Sequence, residues 1–272
     1  MIRILLARLN QGHRTIGFPD AAPRLPESFR GRPVIDPTRC PDGCRACVEA
    51  CPTLAISPGG AGPVVDLGRC IFCTACAEVC PAGAITHSRD YRMATRQRED
   101  LRVAPDEALA LAQALDAKSQ RIFGHSLRLR QVSAGGCNGC ESELNVLSTV
   151  VFDLGRFGIQ FVASPRHADG LVVTGPVTQN MALALQKTYD ATPAPRFVIA
   201  VGACAISGGL FREHAETEAG VTSRLPVDLY IPGCPPHPLT LLDGLLRLLG
   251  RLEESVQDAA GNEGIRPRGW RM

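Results

Sequence analysis

Cys40-Pro-Asp-Gly-Cys-Arg-Ala-Cys-Val-Glu-Ala-Cys-Pro52 sets four cysteines and a proline at the spacing C-x3-C-x2-C-x3-C-P. Cys70-Ile-Phe-Cys-Thr-Ala-Cys-Ala-Glu-Val-Cys-Pro81 repeats it with one residue fewer, as C-x2-C-x2-C-x3-C-P. The match runs beyond the cysteines. Val34-Ile-Asp-Pro-Thr-Arg-Cys40 corresponds to Val64-Val-Asp-Leu-Gly-Arg-Cys70 at an offset of 30, and Cys51-Pro-Thr-Leu-Ala-Ile56 to Cys80-Pro-Ala-Gly-Ala-Ile85 at an offset of 29. The offset changes within Pro41-Asp42-Gly43, so one extra residue sits there while its surroundings keep register. Such self-similarity reads as two copies of one small unit. Each unit is a short strand, a cysteine-rich turn, a short helix, a proline and a second short strand. The joint between them, Ser57-Pro-Gly-Gly-Ala-Gly-Pro63, is turn chemistry. A region this small buries little apolar surface, so bound metal must stabilise it.

The spacing C-x2-C-x2-C-x3-C-P wraps a [4Fe–4S] cluster, and in paired runs the fourth cysteine of each ligates the other cluster. That rule assigns Cys40, Cys44, Cys47 and Cys80 to one cluster and Cys70, Cys73, Cys76 and Cys51 to another. Pro41-Asp42-Gly43 is a turn-forming tripeptide that bulges outward without moving the thiols. The longer loop is therefore expected to adjust its cluster's hydrogen bonds or exposure, not to remove a ligand. Two four-cysteine zinc sites would use the same count of thiols. Structural zinc, however, pairs two CxxC knuckles across a longer gap.

The totals are compatible with metal. The chain has 272 residues and 12 cysteines, eight between Cys40 and Cys80 and four between Cys137 and Cys234. It is neither small nor evenly studded with cysteine, which argues against a secreted disulfide scaffold. The net charge of +2 is too small to imply nucleic-acid binding. The start, Met1 to Arg14, threads basic residues through its apolar stretch and shows no signal-peptide cleavage pattern. The longest apolar run, Leu239 to Leu249, is broken by Asp243 and Arg247 and is too short to span a bilayer. A cytoplasmic protein with reduced thiols is expected.

From Ser88 to Arg102 the sequence is strongly charged, and Pro105-Asp-Glu opens a predicted helix over Ala108 to Arg121 with Gly124 as its C-cap. Beyond it, short apolar runs alternate with helical stretches. Predicted strands are Leu127–Val132, Ile159–Ala163, Gly170–Thr174, Phe197–Val201 and Val227–Ile231; predicted helices are Glu141–Val150, Gln179–Ala191 and Pro238–Leu249. Alternation of this kind, with apolar strands, argues a parallel sheet covered on both faces. Loops after the carboxyl ends of such strands carry ligands. Three strand ends deliver Cys137 with Cys140, Cys204, and Cys234 to one edge. Each sits among glycine or proline, which lets backbone approach a bulky inorganic group. Spacing alone leaves a cluster, zinc or a thioredoxin-like redox pair open here.

The motifs Ala134-Gly-Gly-Cys-Asn-Gly-Cys-Glu-Ser-Glu143, Gly202-Ala-Cys-Ala205 and Pro232-Gly-Cys-Pro-Pro-His-Pro238 together resemble the small-subunit family of [NiFe] hydrogenases, which includes the B subunit of complex I. The C-x2-C of the first motif is similar to the membrane-bound, energy-converting (group 4) hydrogenases and formate hydrogenlyase; complex I B subunits carry adjacent cysteines there. Phe29-Arg-Gly-Arg-Pro33, Leu67-Gly-Arg-Cys-Ile-Phe-Cys73 and Glu78-Val-Cys-Pro81 resemble the two-cluster ferredoxin subunit of the same complexes. Those are normally separate chains; here they are fused, which raises their effective concentration for one another.

The resemblance implies an α/β protein with an N-terminal arm (1–33), a two-cluster ferredoxin-like domain (34–90), a helical connector (91–125), a flavodoxin-like domain with a parallel sheet (126–250) and a tail (251–272), flexible or partner-bound. It implies a third [4Fe–4S] cluster on Cys137, Cys140, Cys204 and Cys234. Glu143 would stand beside that cluster, as an aid to tuning or proton movement or as a plain helix-start carboxylate, and Glu141 as the latter alone. His237 is read as a turn residue, and no role is assigned to His13, His87, His125, His167 or His214. No dinucleotide or ATP motif, catalytic triad or nickel-binding cysteine pair is present. Implied partners are a large subunit that carries the catalytic metal, membrane subunits that hold the chain on the cytoplasmic face of the inner membrane, and an electron-donor module or soluble ferredoxin. A nickel-free quinone oxidoreductase component and a zinc-stabilised scaffold are the alternatives.

Overall fold

The fold is taken from a computed structural model, which describes residues 2–105 and 107–252. After helix α1 (Ile2–Gln11) come the two repeat units, β1 (Pro33–Ile35), α2 (Ala46–Glu49) and β2 (Ile56–Ser57), then β3 (Val64–Asp66), α3 (Ala75–Glu78) and β4 (Ile85–His87). The units interlock: β1 pairs antiparallel with β4, and β2 with β3. A fifth strand, β5 (Arg102–Val103), adds to β3 and was not expected from the sequence.

The second half comprises α4 (Ala117–Phe123), β6 (Leu127–Ser133), α5 (Gly139–Val146), β7 (Ile159–Phe161), β8 (Gly170–Thr174), α6 (Gln179–Ala191), β9 (Phe197–Val201), α7 (Gly202–Ser207), β10 (Leu229–Ile231) and α8 (Pro238–Leu248). Its five strands form a parallel sheet in the order β10-β9-β8-β6-β7. Counted within the domain this is 2-1-3-4-5, the flavodoxin-like order. All five strands expected from the sequence are present, and β8, β9 and α6 keep the expected bounds.

Alternation along the strands builds two cores. Val172, Ile199, Leu229 and Ile231 face α5 and α8, while Leu171, Val173, Val198, Ala200 and Tyr230 face α6 and α7. The second core continues into the repeat region through Ile35, Ile56, Val65, Leu67 and Ile85. Helix α8 is buried along its whole length. Its charged pair survives because Arg247 Nε donates to Asp243 Oδ2 at 2.8 Å, with the side chains 3% and 0% exposed.

The connector departs from expectation. Residues 107–116 are not helical; the helix is confined to α4. The spacing of Leu109, Ala112 and Leu115 places all three in the cores, and tertiary hydrogen bonds replace the helical ladder: Ala112 N–H donates to Ala94 O and Leu115 N–H to Leu248 O. The preceding charged stretch is also packed. Tyr91, Arg92, Met93, Ala94 and Thr95 are buried, and Thr95 forms an antiparallel bridge to Tyr230 that caps the edge strand β10. Arg251 and Leu252, assigned to the tail by sequence, belong to the folded part: Leu252 is buried and the Arg251 guanidinium donates to the carbonyls of Gly124 and Phe157. The rest of the expected flexible tail lies outside the described residues. Among the described residues no helix is long and apolar enough to cross a membrane.

Candidate metal centres

Cys40, Cys44, Cys47 and Cys80 line one small apolar cavity, walled by Pro41, Pro63, Pro81 and Ile85. Cys51, Cys70, Cys73 and Cys76 line another, walled by Pro33, Ile56 and Val65. The fourth thiol of each run thus stands with the first three of the other. The crossed pairing of β1 with β4 and of β2 with β3 brings them there.

Equivalent backbone groups serve both sets. Ala55 N–H donates to Cys51 Sγ and Ala84 N–H to Cys80 Sγ, each at 3.2 Å and each four residues after its cysteine. Phe72 N–H donates to Cys70 Sγ at 3.4 Å. Burial pushes the Cys70 thiol up to about 12 and the Cys76 thiol up to about 11. For Cys80, burial raises the value, but N–H groups of Ala84, Ala82, Ile85 and Gly83 outweigh it and hold the thiol below its ordinary range. Buried thiols without a cation keep their protons; a metal displaces them.

The third set gathers at the carboxyl edge of the parallel sheet. Cys137 and Cys140 follow β6, Cys204 lies in α7 directly after β9, and Cys234 follows β10. Burial and the neighbouring Glu141, Cys204, Cys234 and Cys137 push the Cys140 thiol upward, and burial pushes Cys204 up to about 11. Gly202 is required here: its φ is +86°, and a Cβ would stand 2.6 Å from Cys140 Sγ. Cys137 and Cys234 are exposed, so this set opens to the surface.

Of the two nearby carboxylates the sequence singles out Glu143, yet the more tightly held one is Glu141. Glu141 is buried, and its Oε1 accepts from Ser133 Oγ at 2.6 Å and Thr174 Oγ1 at 2.7 Å. Burial raises its pKa, but those hydroxyls and its own backbone N–H outweigh this and hold it low. Ser133 and Thr174 are register partners at the ends of β6 and β8, and Ser133 lies one residue beyond the strand expected from the sequence, so no local signal pointed to the pairing. Glu143 is half-buried, its carboxyl pushed up by burial, and it lines a cavity of 490 Å³ together with Cys234, Phe72 and Arg30. His237 is the N-cap of α8: its Nδ1 accepts from Leu239 N–H at 3.1 Å, consistent with a turn role. His87, given no role by sequence, lines the cavity of Cys51, Cys70, Cys73 and Cys76, and its Nε2 is buried without a hydrogen-bond partner.

The three sets follow one another. Cys76 lies within electrostatic reach of Cys47 in the first set, and Cys234 of the third within reach of Cys73 in the second.

Residues 137–248 match the family described as NADH ubiquinone oxidoreductase, 20 Kd subunit, and residues 32–81 match a 4Fe-4S dicluster domain. The probable membrane-bound hydrogenase subunit mbhJ of Pyrococcus furiosus is 41% identical over 137 residues, covering 50% of this chain and 82% of that protein. The chain belongs to the NADH ubiquinone oxidoreductase 20 Kd subunit family. The B subunit of the NADH-quinone oxidoreductase of Desulfovibrio desulfuricans is 46% identical over 132 residues, 48% of this chain and 67% of that protein. Formate hydrogenlyase subunit 7 of Escherichia coli is 41% identical over 151 residues, 56% of this chain but only 58% of that protein. Here the family's domain is joined to a dicluster domain in one chain.

Proposed function

We propose that this chain is an electron-transfer subunit carrying three [4Fe–4S] clusters, which passes electrons to or from a [NiFe] site on a partner large subunit in a group 4 hydrogenase or formate-hydrogenlyase-like complex. The observation that carries this reading is the sorting of twelve thiols into three sets of four that follow one another through the molecule. When bound, the clusters supply one-electron transfer. The residues of the chain hold and shield them. Cys40, Cys44, Cys47 and Cys80 would hold the first, Cys51, Cys70, Cys73 and Cys76 the second, and Cys137, Cys140, Cys204 and Cys234 the third. Ala55, Phe72 and Ala84 donate N–H bonds to three of these sulfurs. The proline and isoleucine walls exclude water. Glu141 lies against the third set and Glu143 on the cavity between the second and third.

The donor sets fit the group. All twelve ligands are thiols, the soft donors that iron–sulfur clusters take. Four-thiolate zinc sites would use the same donors, and a count of iron and sulfide separates the two. The exposed Cys137 and Cys234 leave the third set open on the side where a large subunit would dock. Membrane subunits, and a donor module or soluble ferredoxin at the first set, complete the proposed assembly on the cytoplasmic side of the inner membrane.

Iron and acid-labile sulfide in anaerobically purified protein test the reading. Three cubanes give about twelve irons per chain; zinc without sulfide would sink it. The similarity to quinone oxidoreductase B subunits supports a second reading, a nickel-free complex I-like enzyme. Nickel in the co-purified large subunit separates the two.

A further inference from the structure

The two dicluster sites are built from matching halves, yet one of them contains a side-chain nitrogen that the other lacks. The cavity of Cys51, Cys70, Cys73 and Cys76 is lined by His87, whereas that of Cys40, Cys44, Cys47 and Cys80 has prolines, alanines and isoleucine beside its thiols. The repeat offset of 29 places Pro58, which has no side-chain donor, opposite His87 in the other unit. His87 ends β4, in register with Pro33 of β1, and Pro33 lines the same cavity. The ring is held there by strand pairing, with Nε2 out of solvent and bonded to nothing in the protein. A buried ring nitrogen without a partner is costly, and few such groups persist in folded proteins. The one kind of acceptor this cavity would receive is a cluster sulfur or a ligating thiolate.

We infer that His87 is a positioning residue for the second cluster: its Nε2–H donates to a sulfur of the group held by Cys51, Cys70, Cys73 and Cys76, and raises the potential at which that group takes up an electron. The inference rests on the three-cluster reading. The physical basis is that the reduced cluster carries one more negative charge, so a fixed N–H donor stabilises it more than the oxidised form. The step is a one-electron reduction by the neighbouring cluster; the hydrogen bond tightens and no proton is transferred. The first cluster has no such side-chain donor, so the two halves of a near-symmetric repeat acquire different potentials.

The test uses the purified complex. Iron and sulfide are counted first, and absence of clusters there defeats the three-cluster reading itself. An EPR-monitored redox titration with dithionite then follows the signal that Cys51→Ser alters. His87→Phe keeps a ring without a donor and is expected to lower that midpoint, reducing the reduced-to-oxidised ratio at the wild-type midpoint by roughly tenfold, about 59 mV for one electron. The other two signals stay in place. His87→Gln returns an N–H and recovers most of the shift. In wild-type protein labelled with 15N-histidine, the reduced signal shows coupling to one nitrogen, which His87→Gln abolishes. Full iron content with an unmoved midpoint, or equal shifts of all three clusters, overturns the inference. Should His87→Phe fail to load iron, absence of the 15N coupling in wild type decides against it equally.

Discussion

Residues 33–103 and residues 126–252 hold themselves together in different ways. In the first region the strands are two or three residues long, the helices four, and Cys47 and Cys76 are counted among the buried side chains with Ile35, Ile56, Val65 and Ile85. In the second, every residue of β8 and β9 is buried, and α8 is enclosed on all sides. Apolar burial suffices for the second region. The first has less of it, and two of its eight cysteines, Cys47 and Cys76, are buried within its small interior. A site built into a stable sheet can lose its metal and keep its frame; a site that is itself the core cannot.

The largest consequence concerns iron removal. Anaerobic chelation should abolish amide-exchange protection across β1 to β4 while β8 and β9 remain protected, because on the proposed reading metal binding would supply folding free energy to the first region alone. Protection retained over β1 to β4 in iron-free protein would break the contrast. A second experiment approaches from the other side. Gly202→Ala forces a Cβ to within 2.6 Å of Cys140 Sγ at a φ of +86°. It should strip the third cluster alone, leaving about eight of about twelve irons, with the circular dichroism of the parallel sheet unchanged.

The same contrast explains what the sequence made legible. The parallel sheet was readable because its central strands β8 and β9 are apolar runs bounded by turns, and Gly170–Thr174 and Phe197–Val201 fall on the strands the sequence implies. The two N-terminal runs of thiols were legible because their spacing is short-range geometry, whereas the gathering of Cys137, Cys140, Cys204 and Cys234 could be expected only from the ends of three strands. The connector was not. The charges of and beside it are turned inward: Arg92 pairs with its near neighbour Asp90 at 2.8 Å, whereas Arg98 reaches Asp66 and Arg96 the Asp228 carbonyl at 2.7 Å. A strongly charged stretch carries no local signal that its partners lie elsewhere in the chain. Glu141 was undervalued for a related reason: the hydroxyls that hold it come from two strands that meet only in the folded sheet.

The contact between the regions gives two smaller predictions. Asp243 and Arg247 are buried where α8 meets the connector, and Gly244 lies so close to Ala94 that a Cβ would stand 2.8 Å from it. Asp243→Ala leaves Arg247 buried and unpaired, which should cost about 3–5 kcal/mol in denaturant unfolding of the holoprotein. The double change Asp243→Leu with Arg247→Met should cost far less, since it removes both charges together. An equal loss in the two variants would show that packing, not charge, is what the pair contributes.

The smallest effect should come from Arg98, the tie between the connector and β3. Its Nη1 and Nη2 donate to the two oxygens of Asp66 at 2.9 and 2.8 Å, a bidentate pair in which Asp66 Oδ1 also accepts from Gly68 N–H. Asp66 ends β3 just before Cys70, so the pair fixes the start of the second cysteine run against β5. Side-chain exposure of 22% for Arg98 and 14% for Asp66 places the pair between a surface and a buried bridge. Arg98→Ala should therefore cost about 1–2 kcal/mol, below the value for an enclosed pair. The loss should be local. Amide exchange should quicken at Val103 and at Leu67, whose N–H donates to Leu101 O at 2.8 Å, and stay unchanged at Tyr230, which the Thr95 bridge holds independently. Arg98→Lys keeps the charge but loses the two-pronged geometry, and should fall between wild type and Arg98→Ala. If Tyr230 exchange quickens along with Val103, the connector moves as one body, and it couples the two regions beyond the core that they share.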